Sequence, residues 1–309
     1  MNTKIALTIS LSCLAATVHG AEIYQTVQGS DSQHWGTAIW GDPASVRITE
    51  DPDNIYVTDG STSASAARSG NYSNSGFGNN TLKLINGAGF VNKAQYVNEA
   101  NFILEGNSSL SAGDQTGTYG NTFTSSTTIF VDAGQSGQFN AGPAARKQRF
   151  ASFISGSGTI NAVGEDATTI NYIQQSGNTF SGLWTVSTST LASLSDGSFG
   201  TGSFLINDGG VLDISYEFRD ATSTSTLTIE TGGLFQLNSG ITSYFNSITL
   251  NGIALDAGTY TFSDLDAGKQ AFFTDIDGTG SFTVVPEPTT TALMIGSLLL
   301  GFTLIRRRK

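Results

Sequence analysis

Two pairs of aspartates have a spacing that acid–base chemistry could use in this 309-residue sequence: Asp264 with Asp266, and Asp275 with Asp277. Glycoside hydrolysis needs two carboxylates that flank one glycosidic bond. Each pair also lies in a turn-like stretch, where Asp favours the bend by hydrogen-bonding its own backbone, and we favour this role. Asp275 and Asp277 are in addition weak calcium candidates, although the full D-x-D-x-D-G loop is absent.

The composition limits histidine and cysteine chemistry. The sequence holds two histidines, His19 and His34, and one cysteine, Cys13. Because His19 and Cys13 lie in a predicted N-terminal signal peptide, His34 is the one base left for a Ser/His/Asp triad, and no Gly-x-Ser-x-Gly elbow accompanies it. No disulfide, histidine cluster or cysteine-ligated metal is expected. We assign no catalytic residue, no metal and no cofactor, and expect His34 to be a surface or capping residue.

A basic cluster of Arg146, Lys147 and Arg149 holds a third of the nine cations between Ala21 and Pro286. It could bind an acidic sugar, but a solvated corner between strands is the simpler interpretation. The same stretch contains 24 acidic residues, so its net charge is about −15. Such a charge repels phosphate backbones, which argues against a nucleic-acid partner.

Residues 1–20 are expected to form a secretory signal peptide. A single cation at Lys4 precedes an apolar stretch from Ile5 to Val18, and small residues follow. Cleavage is predicted after Gly20, with the Sec translocon and signal peptidase as partners. A lipoprotein signal that uses Cys13 is the alternative, although the residues before Cys13 form a poor lipobox.

The C-terminal residues 286–309 have three parts in a fixed order. These are Pro286-Glu287-Pro288, an apolar run from Thr289 to Ile305, and a basic tail of Arg306, Arg307, Arg308 and Lys309. Pro288 gives the apolar run a sharp start, since proline disfavours helix before it. As a helix the run would measure about 25 Å, slightly less than the ~30 Å hydrocarbon core, and the basic tail would stay in the cytoplasm. An ordinary C-terminal membrane anchor would share these features.

The order and spacing of these parts resemble the PEP-CTERM sorting signal of Gram-negative bacteria that make exopolysaccharide. The resemblance implies that a membrane-embedded exosortase recognises Pro286, Glu287 and Pro288 and processes the protein near them. The body would then be exported across the inner membrane and held there transiently by a single short transmembrane helix. Its final place would be the cell surface or the extracellular matrix.

Short alternating runs of apolar and polar residues indicate strands and turns in the body of the chain. The clearest runs are residues 81–85, 101–104, 159–161, 183–186, 226–229 and 281–284. Only 13% of the residues are charged, which leaves little material for long surface helices. Trp35, Trp40 and Tyr56 are candidates for stacking on sugars, whereas we expect most phenylalanines to pack inside.

A 23-residue repeat indicates how these strands are organised. Its matched positions are Phe204 with Leu227, Ile206 with Ile229, Gly209 with Gly232, Gly210 with Gly233, Leu212 with Phe235, and Ile214 with Leu237. One unit of two short strands and a Gly-Gly corner cannot bury its inner face alone, so it must stack on a neighbour. The repeat therefore predicts a solenoid of parallel coils.

A degenerate copy precedes this repeat with a slightly shorter offset. Its matched positions are Trp184 with Phe204, Val186 with Ile206, and Leu194 with Ile214. We expect it to form one more coil of the same solenoid.

Glycine-marked stretches at residues 156–160, 177–184, 250–253 and 257–260 resemble the parallel β-helix passengers of autotransporter-like and PEP-CTERM surface proteins. The resemblance implies an all-β fold, a right-handed parallel β-helix, which the last of these stretches closes and to which 280–284 adds the final strand. We expect this β-helix over residues 150–285. For residues 21–149 we expect irregular β-helix rungs, with a separate β-sandwich as the alternative.

The expected function is that of an exported surface or matrix protein, structural or adhesive in association with exopolysaccharide, as in a biofilm, and not an enzyme. A polysaccharide lyase or glycoside hydrolase is the alternative, because a parallel β-helix is also the scaffold of pectin-degrading enzymes. Carboxylates that converge on one face of adjacent coils would favour the enzyme. Dispersed carboxylates would favour the structural or binding role.

Overall fold

The computed structural model describes residues 21–30, 33–41, 54–70, 74–113, 120–143 and 145–285. Within these ranges the chain is almost entirely β-structure and forms a parallel β-solenoid of about eight turns. Their helical content is one 3₁₀ turn and one four-residue α-helix. The all-β parallel solenoid predicted from the sequence is therefore confirmed.

The solenoid is built from strands of two to five residues. In the first part these strands are β1 (Glu22–Tyr24), β2 (Ile55–Asp59), β3 (Ala66–Arg68), β4 (Asn74–Gly76), β5 (Thr81–Ile85), β6 (Gly89–Asn92), β7 (Tyr96–Asn98), β8 (Asn101–Leu104), β9 (Ser108–Ala112), β10 (Asn121–Phe123), β11 (Thr128–Val131), β12 (Ser136–Asn140), β13 (Lys147–Phe150), β14 (Phe153–Gly156), β15 (Thr159–Val163) and β16 (Ile170–Ile173). The later elements are β17 (Leu183–Ser187), β18 (Thr190–Ser193), β19 (Ser203–Ile206), β20 (Val211–Asp213), β21 (Thr226–Ile229), β22 (Leu234–Leu237), β23 (Thr242–Phe245), β24 (Ser247–Leu250), β25 (Ile253–Ala254), β26 (Gly258–Thr261), a 3₁₀ turn (Phe262–Asp264), α1 (Ala267–Gln270), β27 (Phe273–Asp275) and β28 (Ser281–Val284).

Three sheets stack the successive turns on one another. Sheet I contains β1-β2-β5-β8-β11-β14, sheet II contains β3-β6-β9-β12-β15-β17-β19-β21-β24-β25, and sheet III contains β4-β7-β10-β13-β16-β18-β20-β22-β27. Their strand pairs are parallel except for β24 with β25. The length of a turn varies: Thr81 pairs with Asn101 across a short turn, and Ser108 pairs with Gly137 across a much longer one. Irregular corners absorb this difference, so the strands stay in register.

The strand register confirms the 23-residue repeat. Phe204 pairs with Leu227 in sheet II, and Leu212 pairs with Phe235 in sheet III. The first glycine of each Gly-Gly corner has a φ of 70° or 84°, a conformation that residues with a side chain rarely adopt. The glycines therefore mark the corners, as predicted.

The degenerate copy of the repeat was predicted correctly at one strand and wrongly at the next. Trp184 pairs with Phe204, as the predicted match requires. In the following strand, however, Leu191 pairs with Leu212, so the match of Leu194 with Ile214 is wrong by one position. The corner before β18 is one residue shorter than the corner before β20. Residues of β18 therefore pair with residues 21 positions later, and not 20 as in β17.

Apolar side chains stacked from turn to turn fill the interior. Alternation sends every second strand residue inward, so that one buried row runs through Leu82, Phe102, Ile129 and Ile154. The ring of Phe139 stacks on that of Phe150 with 3.8 Å between centroids. Most described phenylalanines lie at such buried positions, as the sequence predicted.

The coils of residues 55–149 share all three sheets with the later coils, so they are rungs of the same solenoid and not a separate β-sandwich. Trp35, Trp40 and Tyr56 are buried at this end, where Trp40 and Tyr56 both contact Phe77. The Trp40 indole Nε1–H donates to the Trp35 carbonyl oxygen at 3.1 Å. The hypothesis that these three aromatic residues stack on sugars is therefore wrong.

The solenoid closes with a three-stranded sheet, sheet IV, in which β28 is parallel to β23 and antiparallel to β26. This confirms the predicted closing role of residues 257–260 and 280–284. Within the described ranges, no helix is both long and apolar enough to cross a bilayer. The predicted signal peptide, the Pro286-Glu287-Pro288 motif, the apolar run and the basic tail lie outside the described residues.

Candidate functional site

The outward side of sheet II, from β9 to β24, carries no charged side chain on any of its strands, all of which the structure describes. Most of its outward positions hold a hydroxyl or an amide. They are Ser109, Ser111, Ser136, Gln138, Asn140, Thr159, Asn161, Thr185, Ser187, Ser203, Thr226, Thr228, Ser247 and Thr249. We call this surface the sheet II face. It results from strand alternation, because the apolar half of each strand is used inside.

Hydrogen bonds between turns hold part of this face. Gln138 Nε2 and Asn161 Nδ2 both donate to Asn107 Oδ1, at 3.1 and 3.2 Å. Thr185 Oγ1 donates to Asn161 Oδ1. Strands lie about 4.8 Å apart, and alternate residues along a strand about 6.6 Å apart. The face therefore presents a regular lattice of hydrogen-bonding groups on a rigid support.

The other two sheets carry charges on their outward sides. On sheet I, Lys83 Nζ lies 3.6 Å from Glu22 Oε1 and 3.3 Å from Glu105 Oε1. On sheet III, Lys147 and Arg149 project outward from β13, because they alternate with the buried Gln148 and Phe150. The sheet II face is thus an uncharged surface on an acidic molecule.

The basic cluster lies mainly on a strand. Arg146 precedes β13 and its Nη1 donates to the carbonyl oxygen of Gly113, which fits the predicted corner. Lys147 and Arg149, however, belong to β13 itself, so the interpretation of the whole cluster as a corner is wrong. Arg149 pairs with Thr122 of β10 and Tyr172 of β16, in the middle of sheet III.

Arg149 also lines an open groove of about 400 Å³. The other lining residues are Thr124, Ser125, Ala151, Gln174, Gln175, Ser176 and Ser195. All but Ala151 bring hydrogen-bonding groups, and the lining contains no carboxylate. The sequence drew attention to Arg149 but could not predict this groove, because its walls come from four different turns.

Asp264 and Asp266 both hold local backbone. Asp264 Oδ2 accepts hydrogen bonds from the backbone N–H of Thr261 at 2.8 Å and from its hydroxyl at 2.7 Å. Asp266 caps α1 by accepting from the N–H of Lys269 at 3.0 Å, and it pairs with the Lys269 ammonium. The backbone hydrogen bond from Thr261 lowers the pKa of Asp264, and the Lys269 side chain lowers that of Asp266. Both carboxylates therefore have the turn role that the sequence favoured.

Asp275 and Asp277 likewise hold their own turn. Asp275 Oδ1 accepts from the N–H of Gly278 at 3.0 Å, and Asp277 Oδ1 accepts from the N–H and the hydroxyl of Thr279 at 3.1 and 2.7 Å. The hydrogen bond from the Ser239 side chain lowers the pKa of Asp277. In the part of the chain that the structure describes, no three His, Cys, Asp or Glu side chains converge as metal ligands would. Among the described residues, no third carboxylate therefore joins Asp275 and Asp277 to form a calcium site.

His34 lies in a turn near the N-terminal end of the solenoid and is half-buried. Its Nδ1 accepts a hydrogen bond from the N–H of Gly36 at 3.2 Å, and its backbone N–H donates to Thr37 Oγ1 at 3.1 Å. These contacts stabilise the turn that leads to Trp35. The arrangement matches the capping role predicted for this histidine.

Glu22 and Glu105 are two carboxylates from different turns that both contact Lys83. A glycosidase needs two carboxylates that flank one glycosidic bond. Here both carboxylates form ion pairs with the same Lys83 ammonium. The pair therefore links turns of sheet I, and it does not favour the enzymatic alternative.

Asp213 is a half-buried carboxylate that sequence reasoning missed. It projects from β20 on the outer side of sheet III, and its Oδ1 accepts a hydrogen bond from Asn238 Nδ2 at 2.7 Å. Burial raises the pKa of Asp213, while Asn238 and Gln236 partly oppose the shift. Asp213 and Arg149 lie three strands apart in sheet III, about 14 Å. Asp213 is not one of the residues that line the groove of Arg149.

Comparisons of the chain with protein-family models, with curated proteins and with solved structures found no match. The functional assignment therefore depends on the chemistry of the surfaces described above.

Proposed function

We propose that the protein is an exported, surface-associated rod that binds exopolysaccharide through the sheet II face. The observation that carries this proposal is the uncharged lattice of hydroxyls and amides from β9 to β24. A neutral polysaccharide offers a repeating series of hydroxyl groups, each of which donates and accepts hydrogen bonds as Ser and Thr do. The net charge of about −15 does not repel a neutral polymer.

The rigidity of the solenoid supports this role. A binding surface that is already ordered loses little conformational freedom when it meets an extended polymer, so that weak contacts add up along its length. The coil is proposed to be right-handed, because crossovers between parallel neighbours are right-handed in nearly all proteins.

Export and sorting belong to the same proposal. The signal peptide of residues 1–20 would direct the chain to the Sec translocon, and exosortase would process it at Pro286, Glu287 and Pro288. The apolar run and the basic residues Arg306 to Lys309 would hold the protein in the inner membrane until then. The protein would end at the cell surface or in the extracellular matrix, without a catalytic role.

The test compares one Thr→Lys substitution on the sheet II face with the same change elsewhere. Thr228 lies on the sheet II face on β21, between β19 and β24, and Thr274 lies on the outer side of β27 in sheet III. T228K should weaken binding of the purified body to neutral polysaccharides, such as dextran and cellulose, at least about tenfold, because an unpaired charge is costly to desolvate. T274K should bind like the wild type. Affinity electrophoresis measures polysaccharide binding by the wild type and by each variant. An equal loss of binding in T228K and T274K, or no binding by the wild-type protein, would contradict the proposal.

A further inference from the structure

The groove around Arg149 runs along the solenoid axis across four successive turns. Thr124 and Ser125 follow β10, Ala151 follows β13, Gln174 to Ser176 follow β16, and Ser195 follows β18. Three strand spacings of about 4.8 Å give the groove a length of about 14 Å. This length suits an extended oligomer of a few units better than a single small ion.

The register explains why there is a depression at this place. The N–H of Ala151 donates to the Phe123 carbonyl oxygen at 2.8 Å, and the N–H of Gln174 donates to the Phe150 carbonyl oxygen at 2.8 Å. Ala151 thus lies between Thr124 of the preceding turn and Gln174 of the following turn. The small methyl group of Ala151 leaves space beside the longer side chains of Arg149 and Gln174.

We propose that this groove binds a short oligosaccharide that contains a uronic acid. Arg149 brings a planar guanidinium, which can bind a carboxylate through two parallel N–H···O bonds. The Gln, Ser and Thr side chains of the lining suit the hydroxyls of the sugar rings. This site is separate from the sheet II face. The two proposals share only the idea that the protein binds saccharides.

Gln174 indicates that the ligand also donates hydrogen bonds. Its Oε1 is buried and has no hydrogen-bond partner among the described residues. A buried acceptor without a partner is unfavourable, so turning the amide toward a ligand hydroxyl would gain a bond. A sugar hydroxyl can supply that proton, whereas a fully ionised sulfate cannot. The lining therefore fits a uronate better than a simple inorganic anion.

The local charge supports a small acidic ligand and disfavours a long one. Lys147 lies on the same strand as Arg149, and no carboxylate lines the groove. Asp196, directly after Ser195, is the carboxylate nearest to the lining in the sequence. Asp196 thus adjoins the Ser195 end of the groove, two strands from Arg149, whereas charges more than about 8 Å away are largely screened at physiological ionic strength. A long polyuronate would meet more of the acidic remainder of the molecule.

The probe for the experiment is trigalacturonate, with its methyl ester as the uncharged ligand of the same shape. Isothermal titration calorimetry at physiological ionic strength should show binding of trigalacturonate by the body of the protein and at least about tenfold weaker binding of the ester, since charged hydrogen bonds are the strong ones. Arg149→Gln should weaken trigalacturonate binding by a similar factor. Gln174→Glu should weaken it as well, because it adds a like charge with almost no change of shape.

Arg219→Gln is the matched control, since it removes one positive charge at a different groove, lined by Arg219 to Thr224. It should leave the affinity for trigalacturonate within about twofold of the wild type, because Arg219 does not line the groove of Arg149. Far-UV circular dichroism checks that each variant is folded.

Three results would overturn the uronate proposal. They are no heat from the wild-type protein at millimolar trigalacturonate, equal loss in R149Q and R219Q, or competition by sulfate as strong as that by trigalacturonate. Because T228K lies on the sheet II face, it should leave trigalacturonate binding unchanged. The proposal for the groove and the proposal for the sheet II face are therefore tested separately.

Discussion

Asp213 is a side chain whose ionisation acts against folding. Its pKa is raised above the ordinary value of 3.8, because neighbouring side chains partly bury it on the outward side of sheet III. Protonated Asp213 therefore favours the folded state. This contribution to stability is fully present at a pH below the pKa of Asp213 in the unfolded chain, and it is lost as the pH rises through the higher pKa of Asp213 in the folded protein. The carboxylate form of Asp213 is therefore less favourable in the folded protein than in the unfolded chain.

We expect Asp213→Asn to raise the thermal unfolding midpoint at about pH 7 and to have little effect at about pH 3, where Asp213 is protonated in both states. The new amide keeps an oxygen that can accept from Asn238 Nδ2. Asp256→Asn is the control, because Asp256 is exposed and the change removes the same charge. An equal gain in both variants would mean that net charge, and not burial, is responsible.

Single residues also show where sequence reasoning reaches its limit. Alternation predicts that polar strand residues face water, yet Asn121, Gln148 and Asn171 are fully buried in adjacent strands of sheet III. Asn121 Nδ2 donates to the backbone oxygens of Asn92 and Ala94, both at 2.8 Å. Asn171 Nδ2 likewise donates to the Val163 carbonyl oxygen at 3.2 Å, whereas the buried side-chain amide of Gln148 has no hydrogen-bond partner among the described residues. No pattern of residue types reveals such an inward polar row in advance.

At the scale of the strands, the corners determine how closely the turns approach one another. Gly182 precedes β17, and a Cβ atom there would lie 1.9 Å from the carbonyl oxygen of Gly158. The same oxygen accepts the hydrogen bond from the N–H of Leu183 at 2.9 Å. A side chain at Gly182 must therefore move the backbone that joins β15 and β17.

We expect Gly182→Ala to lower the free energy of unfolding by about 1–3 kcal/mol, as overpacking typically does. Gly89→Ala is the matched control on β6, because its Cβ would meet only Ser109 Oγ, at 3.4 Å. The control should change stability by no more than about 1 kcal/mol. Urea denaturation of both variants measures the difference, and similar losses would show that close approach is not the cause.

The strands themselves were largely predictable, whereas the corners were not. Runs such as 81–85 and 226–229 alternate clearly, and each is a strand with alternating burial. The match at Leu194 failed because one corner is a residue shorter than its counterpart. The N-terminal turns were harder to read since their lengths differ widely from one turn to the next, which hides the repeat.

At the scale of the whole molecule, the sorting proposal makes a prediction about mass. Expression with an exosortase should shorten the mature chain near Pro286, Glu287 and Pro288, and expression without it should leave the basic tail in place. Replacing Pro286 and Pro288 together by Ala should block the shortening and keep the protein in the inner membrane, because the apolar run then persists as an anchor.

Intact-mass spectrometry and membrane fractionation test this prediction. Thr291→Ser is a suitable control, since it changes one residue of the apolar run and leaves the Pro-Glu-Pro motif untouched. Identical mature masses with and without exosortase would contradict the sorting proposal. The polysaccharide-binding proposal would be unaffected by that result, because it concerns the folded body.

The fold class was predictable from the whole sequence, but the candidate binding surfaces were not. Glycine corners and alternation are local signals, and they indicated a parallel solenoid. The sheet II face and the Arg149 groove arise only when residues from successive turns are aligned, as Gln138, Asn161 and Thr185 are. Their register depends on corner lengths, which local patterns do not encode.

The ends of the solenoid have a consequence for assembly. Sheet IV turns antiparallel at the C-terminal end, and at the other end Gly41 donates its N–H to the Tyr24 carbonyl oxygen on the outer edge of β1. Both features obstruct the edge-to-edge pairing by which open sheets polymerise. Growth of one copy on the end of another through these two places would therefore require the contacts there to open first.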